Sequence, residues 1–293
     1  MRHALFGLLL AVGIASTALA QADPSPPAAI PVPAIPGEQF LLPTGTGGAS
    51  DTEQWNRVFG QVWVRNVSRP SLYRVPPKNG RDKGRAVIVV PGGGYSFVSI
   101  EPEGFWVAER LAAQGYTAFV LKYRPKATPI APDAFIRKLM AEWEGYSDDV
   151  GIDHPPAVDD LGAAISLVHA RAGEWGLDAG KLGVIGFSAG ALSTIRLLEQ
   201  HEEAALVDNI GLIYPPISEE MAVKSRPDLF MAIATDDFLL HRGTLDWVWD
   251  WHAQKASVEF HLYSGGSHGF GMRPQGTTSD LWIDQYLAWL DLR

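Results

Sequence analysis

The sequence predicts an α/β fold, with a mostly parallel central sheet and helices on both faces. Three observations predict it. Apolar, β-branched runs alternate with segments of helical spacing. The glycine-rich, chemistry-bearing motifs fall just after those runs. No internal repeat divides the chain after its proline-rich beginning, so one domain is expected.

The elements follow in order. Residues 1–20 read as a signal peptide. Arg2 and His3 precede an apolar run from Ala4 to Ala15, and Ala18-Leu19-Ala20 offers small residues for cleavage after Ala20. The run is shorter than the roughly 20 apolar residues a membrane span needs. A secreted or periplasmic location is therefore expected, with no stable membrane insertion once the peptide is removed. The absence of Cys after the run excludes a lipid anchor. Residues 21–50 hold Pro24, Pro26, Pro27, Pro31, Pro33, Pro36 and Pro43, then Gly45-Thr46-Gly47-Gly48. Proline lacks an amide donor and resists helix and sheet, so this stretch reads as an extended tether.

Residues 51–293 then form the folded domain. Gln61 to Val67 alternates and suits an edge strand. Ala86 to Val90 is a short buried strand ended by Pro91 and three glycines, Glu103 to Gln114 a helix, and Thr117 to Lys122 a strand. Within 126–154, Phe135, Ile136, Leu139, Met140 and Trp143 share one helix face. That helix is either a lid over the site or a helix packed elsewhere. Val158, Leu161, Ile165, Val168, Ala172 and Trp175 recur at helical spacing. Leu182–Phe187 is a strand and Ala189–Glu199 a helix. Asn209–Tyr214, Leu229–Ala234 and Val258–Tyr263 are strands, and Leu281–Leu290 closes the fold as a helix.

In such sheets reactive groups sit beyond the carboxyl ends of the strands. Gly186-Phe187-Ser188-Ala189-Gly190 has the G-x-S-x-G spacing of a nucleophile elbow. The serine must project from a sharp strand-to-helix turn, and flanking glycines have no Cβ to collide there. Gly265-Gly266-Ser267-His268-Gly269 matches the same pattern. Ser267, however, precedes no helix and leaves little chain for an acid and a base in the usual order, so it reads as a loop residue.

Pro91-Gly92-Gly93-Gly94-Tyr95 follows the first buried strand. Its glycines let the backbone approach a substrate and turn amides inward. Amides of Gly93 or Gly94, with that of Ala189, are the candidate oxyanion hole; a tight turn needing positive φ is the plainer alternative.

A serine hydroxyl needs a histidine to take its proton, and the histidine needs a carboxylate to orient it. Of eight histidines, His3, His154, His169, His201 and His252 lie before the elbow or in helical segments. His241 is early and His261 falls within a strand. His268, in a glycine-rich loop after the last strand, is the candidate base. Asp236 and Asp237 both run off the Met231–Thr235 strand end. Asp237 fits the acid better, lying just beyond the strand and before Phe238-Leu239-Leu240; Asp236 would then brace the loop.

Composition narrows the function. A net charge of −9 without a basic run argues against nucleic-acid partners. The absence of cysteine removes disulfides, thiolate metal sites and a Cys nucleophile together. No paired histidines or calcium-loop spacing appear, so neither a metal nor another cofactor is expected. Ten tryptophans leave room for sugar-stacking surfaces at Trp106, Trp143 or Trp247, though core packing accounts for most of them.

Together Pro91-Gly92-Gly93-Gly94-Tyr95, Leu121-Lys122-Tyr123-Arg124-Pro125, Gly186-Phe187-Ser188-Ala189-Gly190, Ile213-Tyr214-Pro215-Pro216 and Ser267-His268-Gly269-Phe270-Gly271 resemble the α/β-hydrolase superfamily. More narrowly, they resemble bacterial acetylxylan and related carbohydrate esterases. The resemblance runs from about Val87 onward and implies a triad of Ser188, Asp237 and His268. The chain departs from many relatives in carrying Pro91 where others have histidine, and in a longer 126–154 segment.

The expected function is hydrolysis of short-chain acyl esters through an acyl-enzyme, with a small acyl ester or acylated polysaccharide as partner. A serine peptidase shares the fold and triad, but commonly carries a large extra domain. A binding protein without catalysis is the third reading, which triad candidates in the correct order disfavour.

Overall fold

The computed structural model describes residues 26–45, 52–78, 80–144, 153–216, 222–223, 225–240 and 243–293. The expected signal peptide, and His241, lie outside the described residues. The main sheet has eight strands in the order β11-β10-β9-β8-β6-β7-β5-β2. In chain order these are β2 (Glu38–Leu41), β5 (Ser71–Val75), β6 (Ala86–Val90), β7 (Thr117–Lys122), β8 (Leu182–Phe187), β9 (Asn209–Ile213), β10 (Asp228–Ala234) and β11 (Val258–Tyr263). The pairs from β7 through β11 are parallel, whereas β2 and β5 join antiparallel.

Sequence explains this arrangement. The central strands AVIVV, TAFVLK and LGVIGF are buried at every residue, as strands covered on both faces must be. Helices Trp106–Ala113 and Trp282–Leu290 are linked by an Arg110–Asp284 ion pair, and helices Pro155–Arg171 and Ala189–Gln200 pack on each other. β11 at the edge is only partly buried and tolerates Glu259 and His261.

The expected tether at 21–50 needs correction. Its described part carries two strands. β2 pairs with β5, and β1 (Ala28–Ile30) pairs antiparallel with β3 (Gln54–Val58). Neither strand contains proline: Pro27 and Pro31 bracket Ala28–Ile30, and Pro36 and Pro43 stand outside Glu38–Leu41. Every strand residue therefore keeps its amide for the ladder. Leu42 is buried and its amide bonds Pro70 O. The folded body thus reaches back to the first described residues, well before residue 51.

Residues 61–65 form β4 (Gln61–Arg65), at an edge of this second, three-stranded sheet (β1-β3-β4) and not of the main one. The helix Pro132–Glu144 packs Phe135 and Leu139 against Val58, Trp63 and Phe97. Of the two readings of 126–154, that contact fits a helix packed on the small sheet, beside the glycine-rich loop; Trp143 is left largely exposed. The helix expected from Glu103 opens with a π-helical turn, Glu101–Phe105, before regular helix begins.

Strand order locates the site. From β6 the chain crosses to β7 on one side, then returns to β8 on the other. The loops after β6 and β8 therefore diverge and leave a crevice at the carboxyl ends. Those loops are Pro91–Tyr95 and the turn at Ser188.

Candidate active site

Ser188 sits at the junction of β8 and the helix Ala189–Gln200 with φ 49° and ψ −118°. L-residues rarely adopt this conformation, and it is held here by a Ser188 N–H bond to Ile213 O of 3.0 Å. The neighbouring glycines are required by contact. A Cβ on Gly190 would strike Val90 O, and one on Gly186 would lie 2.5 Å from Gly190 O. The turn thus packs directly on the end of β6.

His268 reaches Ser188 from the loop after β11. Its Nε2 lies 2.8 Å from Ser188 Oγ. Its Nδ1 lies 2.9 and 3.1 Å from the two oxygens of Asp237. With Nδ1–H donating to the carboxylate, Nε2 keeps its lone pair to accept the serine proton. Asp237 is buried and also accepts the Leu239 amide at 2.8 Å, which fixes the carboxylate plane.

The two adjacent aspartates divide their tasks. Asp236 is exposed and accepts the amides of Ser267 (2.7 Å) and Gly266 (3.3 Å). It braces the loop that carries His268, while Asp237 touches the imidazole. Ser267 lies in that loop with φ 55°.

The glycine-rich loop abuts Ser188: a Cβ on Gly92 would lie 2.9 Å from Ser188 Cβ. Gly93 (φ 131°) turns its carbonyl away to accept the amides of Ser96 and Phe97. Gly94 is exposed at the tip. Ala189 opens its helix, so its amide has no partner within that helix. Among the described residues, none accepts a hydrogen bond from the amides of Gly93, Gly94 or Ala189. These N–H groups stay available to a developing oxyanion.

Three further residues surround the site. Glu103 is buried; its Oε2 accepts the Gly92 amide at 2.7 Å and its Oε1 the Tyr214 hydroxyl at 2.9 Å. Burial pushes its carboxyl above the usual range, opposed by these bonds and by nearby Arg273 and His268. Tyr214 (φ 42°) sets its ring edge-on to His268 at 5.0 Å and to Phe270 at 4.7 Å. Phe238 is 65% exposed, with its ring 5.6 Å from His268. Glu103 was unreadable as a site residue, since an acid early in a helix is ordinary; Tyr214 was visible only as part of a motif.

Among the described residues no group of three or more His, Cys, Asp or Glu is placed to hold a metal, and no helix is long and apolar enough to cross a membrane.

Comparison with known proteins agrees with this architecture. A family model described as the alpha/beta hydrolase fold matches residues 153–270, which include Ser188, Asp237 and His268. An acetylxylan esterase of Xylanibacter ruminicola is 28% identical over 149 residues, 49% of this chain. The matched region spans 25% of that relative's length. Among solved structures, an acetyl ester-xyloside bifunctional hydrolase from Caldicellulosiruptor lactoaceticus aligns with TM-score 0.60 at 21% identity, covering 89% of this chain and 98% of that one. A carboxylesterase from Lactobacillus plantarum aligns with TM-score 0.59 at 18% identity, covering 88% and 98%. At such identities these structures speak to the fold alone, and the chain has the α/β-hydrolase fold.

Proposed function

We propose, from the premise of an α/β-hydrolase fold, that this protein is a serine carboxylic-ester hydrolase acting on short-chain acyl esters. The observation that carries the reading is the continuous hydrogen-bonded chain Ser188–His268–Asp237 at the mouth of the β6/β8 crevice. Ser188 Oγ attacks the acyl carbonyl as His268 Nε2 takes its proton. The carbonyl oxygen becomes an oxyanion, held by the amides of Ala189 and of Gly93 or Gly94. One such donor contributes about 3–4 kcal/mol to the transition state. His268 then protonates the leaving alcohol, and the acyl group remains on Ser188. Water, deprotonated by His268, attacks the acyl-enzyme and releases the acid. Asp237 keeps the imidazole in the right tautomer and stabilises the imidazolium that forms twice per cycle.

The substrate reading is an acetyl group on a plant polysaccharide. It is supported by the likeness to the Xylanibacter ruminicola acetylxylan esterase and to the Caldicellulosiruptor lactoaceticus acetyl ester-xyloside hydrolase. Phe238 adds to it, because a flat exposed ring beside the base suits the apolar face of a sugar leaving group. Residues 1–20 support export to the periplasm or medium, where such polymers are met. The test is turnover of 4-nitrophenyl acetate and butyrate by purified protein, followed by acetate release from acetylated xylan. Faster turnover of acetate than butyrate, with release from the polymer, is expected. A preference for butyrate with no release from xylan would overturn the substrate reading.

A further inference from the structure

Glu103 is a buried carboxylate that the acyl-transfer steps do not use. Its side chain leaves the π-helical turn Glu101–Phe105 and ends between two loops that are far apart in sequence. On one side Oε2 holds the amide of Gly92, whose Cα lies against Ser188 and which begins the loop supplying Gly93 and Gly94. On the other side Oε1 holds the hydroxyl of Tyr214. The tyrosine ring in turn packs edge-on against the imidazole of His268 and against Phe270, two residues beyond it. The same turn makes a second tie to that loop, from Met272 N–H to Pro102 O at 3.3 Å. A lone buried carboxylate costs free energy unless its oxygens are bonded. Here two donors meet two acceptor atoms, and the partners belong to the two halves of the site.

We propose that Glu103 is a positioning residue that clamps the oxyanion loop to the loop carrying His268, through Gly92 on one side and Tyr214 on the other. The inference rests on the serine-esterase reading above. Catalysis needs the oxyanion donors and the base placed together to within a fraction of an ångström, and small misplacements cost turnover more than binding. Glu103→Gln keeps the size and one carbonyl acceptor. It presents an NH2 group either to the Gly92 amide, which can only donate, or to the Tyr214 hydroxyl, which donates to Glu103 in the wild type and would have to turn and accept. One side of the clamp must therefore loosen.

The experiment measures kcat and KM on 4-nitrophenyl acetate, with the affinity of a trifluoromethyl ketone as tetrahedral-intermediate analogue. It compares wild type, Glu103→Gln, Tyr214→Phe and the double variant, with circular dichroism to score folding. Each single variant is expected to lose about tenfold in kcat and in analogue affinity with KM nearly unchanged, and the double variant to be little worse than either. Additive losses in the double variant, or kcat and analogue affinity at wild-type levels in the folded singles, would overturn the clamp. If Glu103→Gln does not fold, Tyr214→Phe decides alone: it opens the clamp from the other side, and wild-type kcat in it rejects the proposal. Ser188→Ala is assayed alongside. Activity surviving there would sink the esterase reading itself, whereas an inactive Ser188→Ala beside fully active clamp variants would sink only the clamp.

Discussion

Two segments of this chain carry the same five-residue pattern, Gly186–Gly190 and Gly265–Gly269, and the fold puts them to opposite uses. In both the serine comes after the end of a strand, and both hold it at positive φ, 49° at Ser188 and 55° at Ser267. The difference is what comes next and what the backbone amide meets. Ser188 leads into the helix Ala189–Gln200, its amide held by the neighbouring strand at Ile213, so its hydroxyl projects into the crevice. Ser267 leads into an irregular loop and its amide is held by Asp236, so the residue presented to the crevice is the next one, His268. The two segments meet at the 2.8 Å contact between Ser188 Oγ and His268 Nε2. A glycine-flanked serine is thus a backbone device for a sharp turn, and the element after it decides which side chain is delivered.

Variants separate the roles of the two segments. His268→Ala removes the base that the second segment delivers, and a loss of about 10^6-fold in kcat is expected, as for a triad member acting as a unit. Steady-state turnover of 4-nitrophenyl acetate checks it; a loss of only tenfold would mean that another group takes the proton. The aspartate pair sharpens the contrast. Asp237→Asn should cost about 10^4-fold, because the amide favours the wrong imidazole tautomer. Asp236→Asn removes only the charge that braces Ser267 and Gly266, and about tenfold is expected from a less fixed loop. Equal losses in the two variants would contradict the division of tasks. The smallest effect is at Phe238. Phe238→Ala should raise KM on acetylated xylooligosaccharides a few-fold while leaving 4-nitrophenyl acetate unchanged, since one exposed stacking contact contributes about 1 kcal/mol. An equal rise on both substrates would remove its role with the sugar.

Much of this was legible in the sequence for physical reasons. Strands buried on both faces read as unbroken apolar runs, so Ala86–Val90, Thr117–Lys122 and Leu182–Phe187 appear with the bounds expected, as does the partly buried edge strand Val258–Tyr263. The site residues stand in short loops tied to those strands, and the order serine, aspartate, histidine is a property of the chain itself. What stayed hidden depends on long-range contact. Ala28–Ile30 and Glu38–Leu41 are short strands between prolines, and only their partners β3 and β5 reveal them. The helix Pro132–Glu144 shows an apolar face, but not that Trp63 and Phe97 cover it. Glu103 has an unremarked position at the start of a helix, and its burial is set by Gly92 and Tyr214, eleven and 111 residues away.

The most direct measurement sets Ser188→Ala beside Ser267→Ala on 4-nitrophenyl acetate, with both proteins shown to be folded. Ser188→Ala is expected to lose essentially all turnover, while Ser267→Ala keeps it to within about threefold, because only its side chain and not its braced amide is changed. Turnover surviving in Ser188→Ala, or vanishing in Ser267→Ala with Ser188 intact, would contradict the assignment of the two segments.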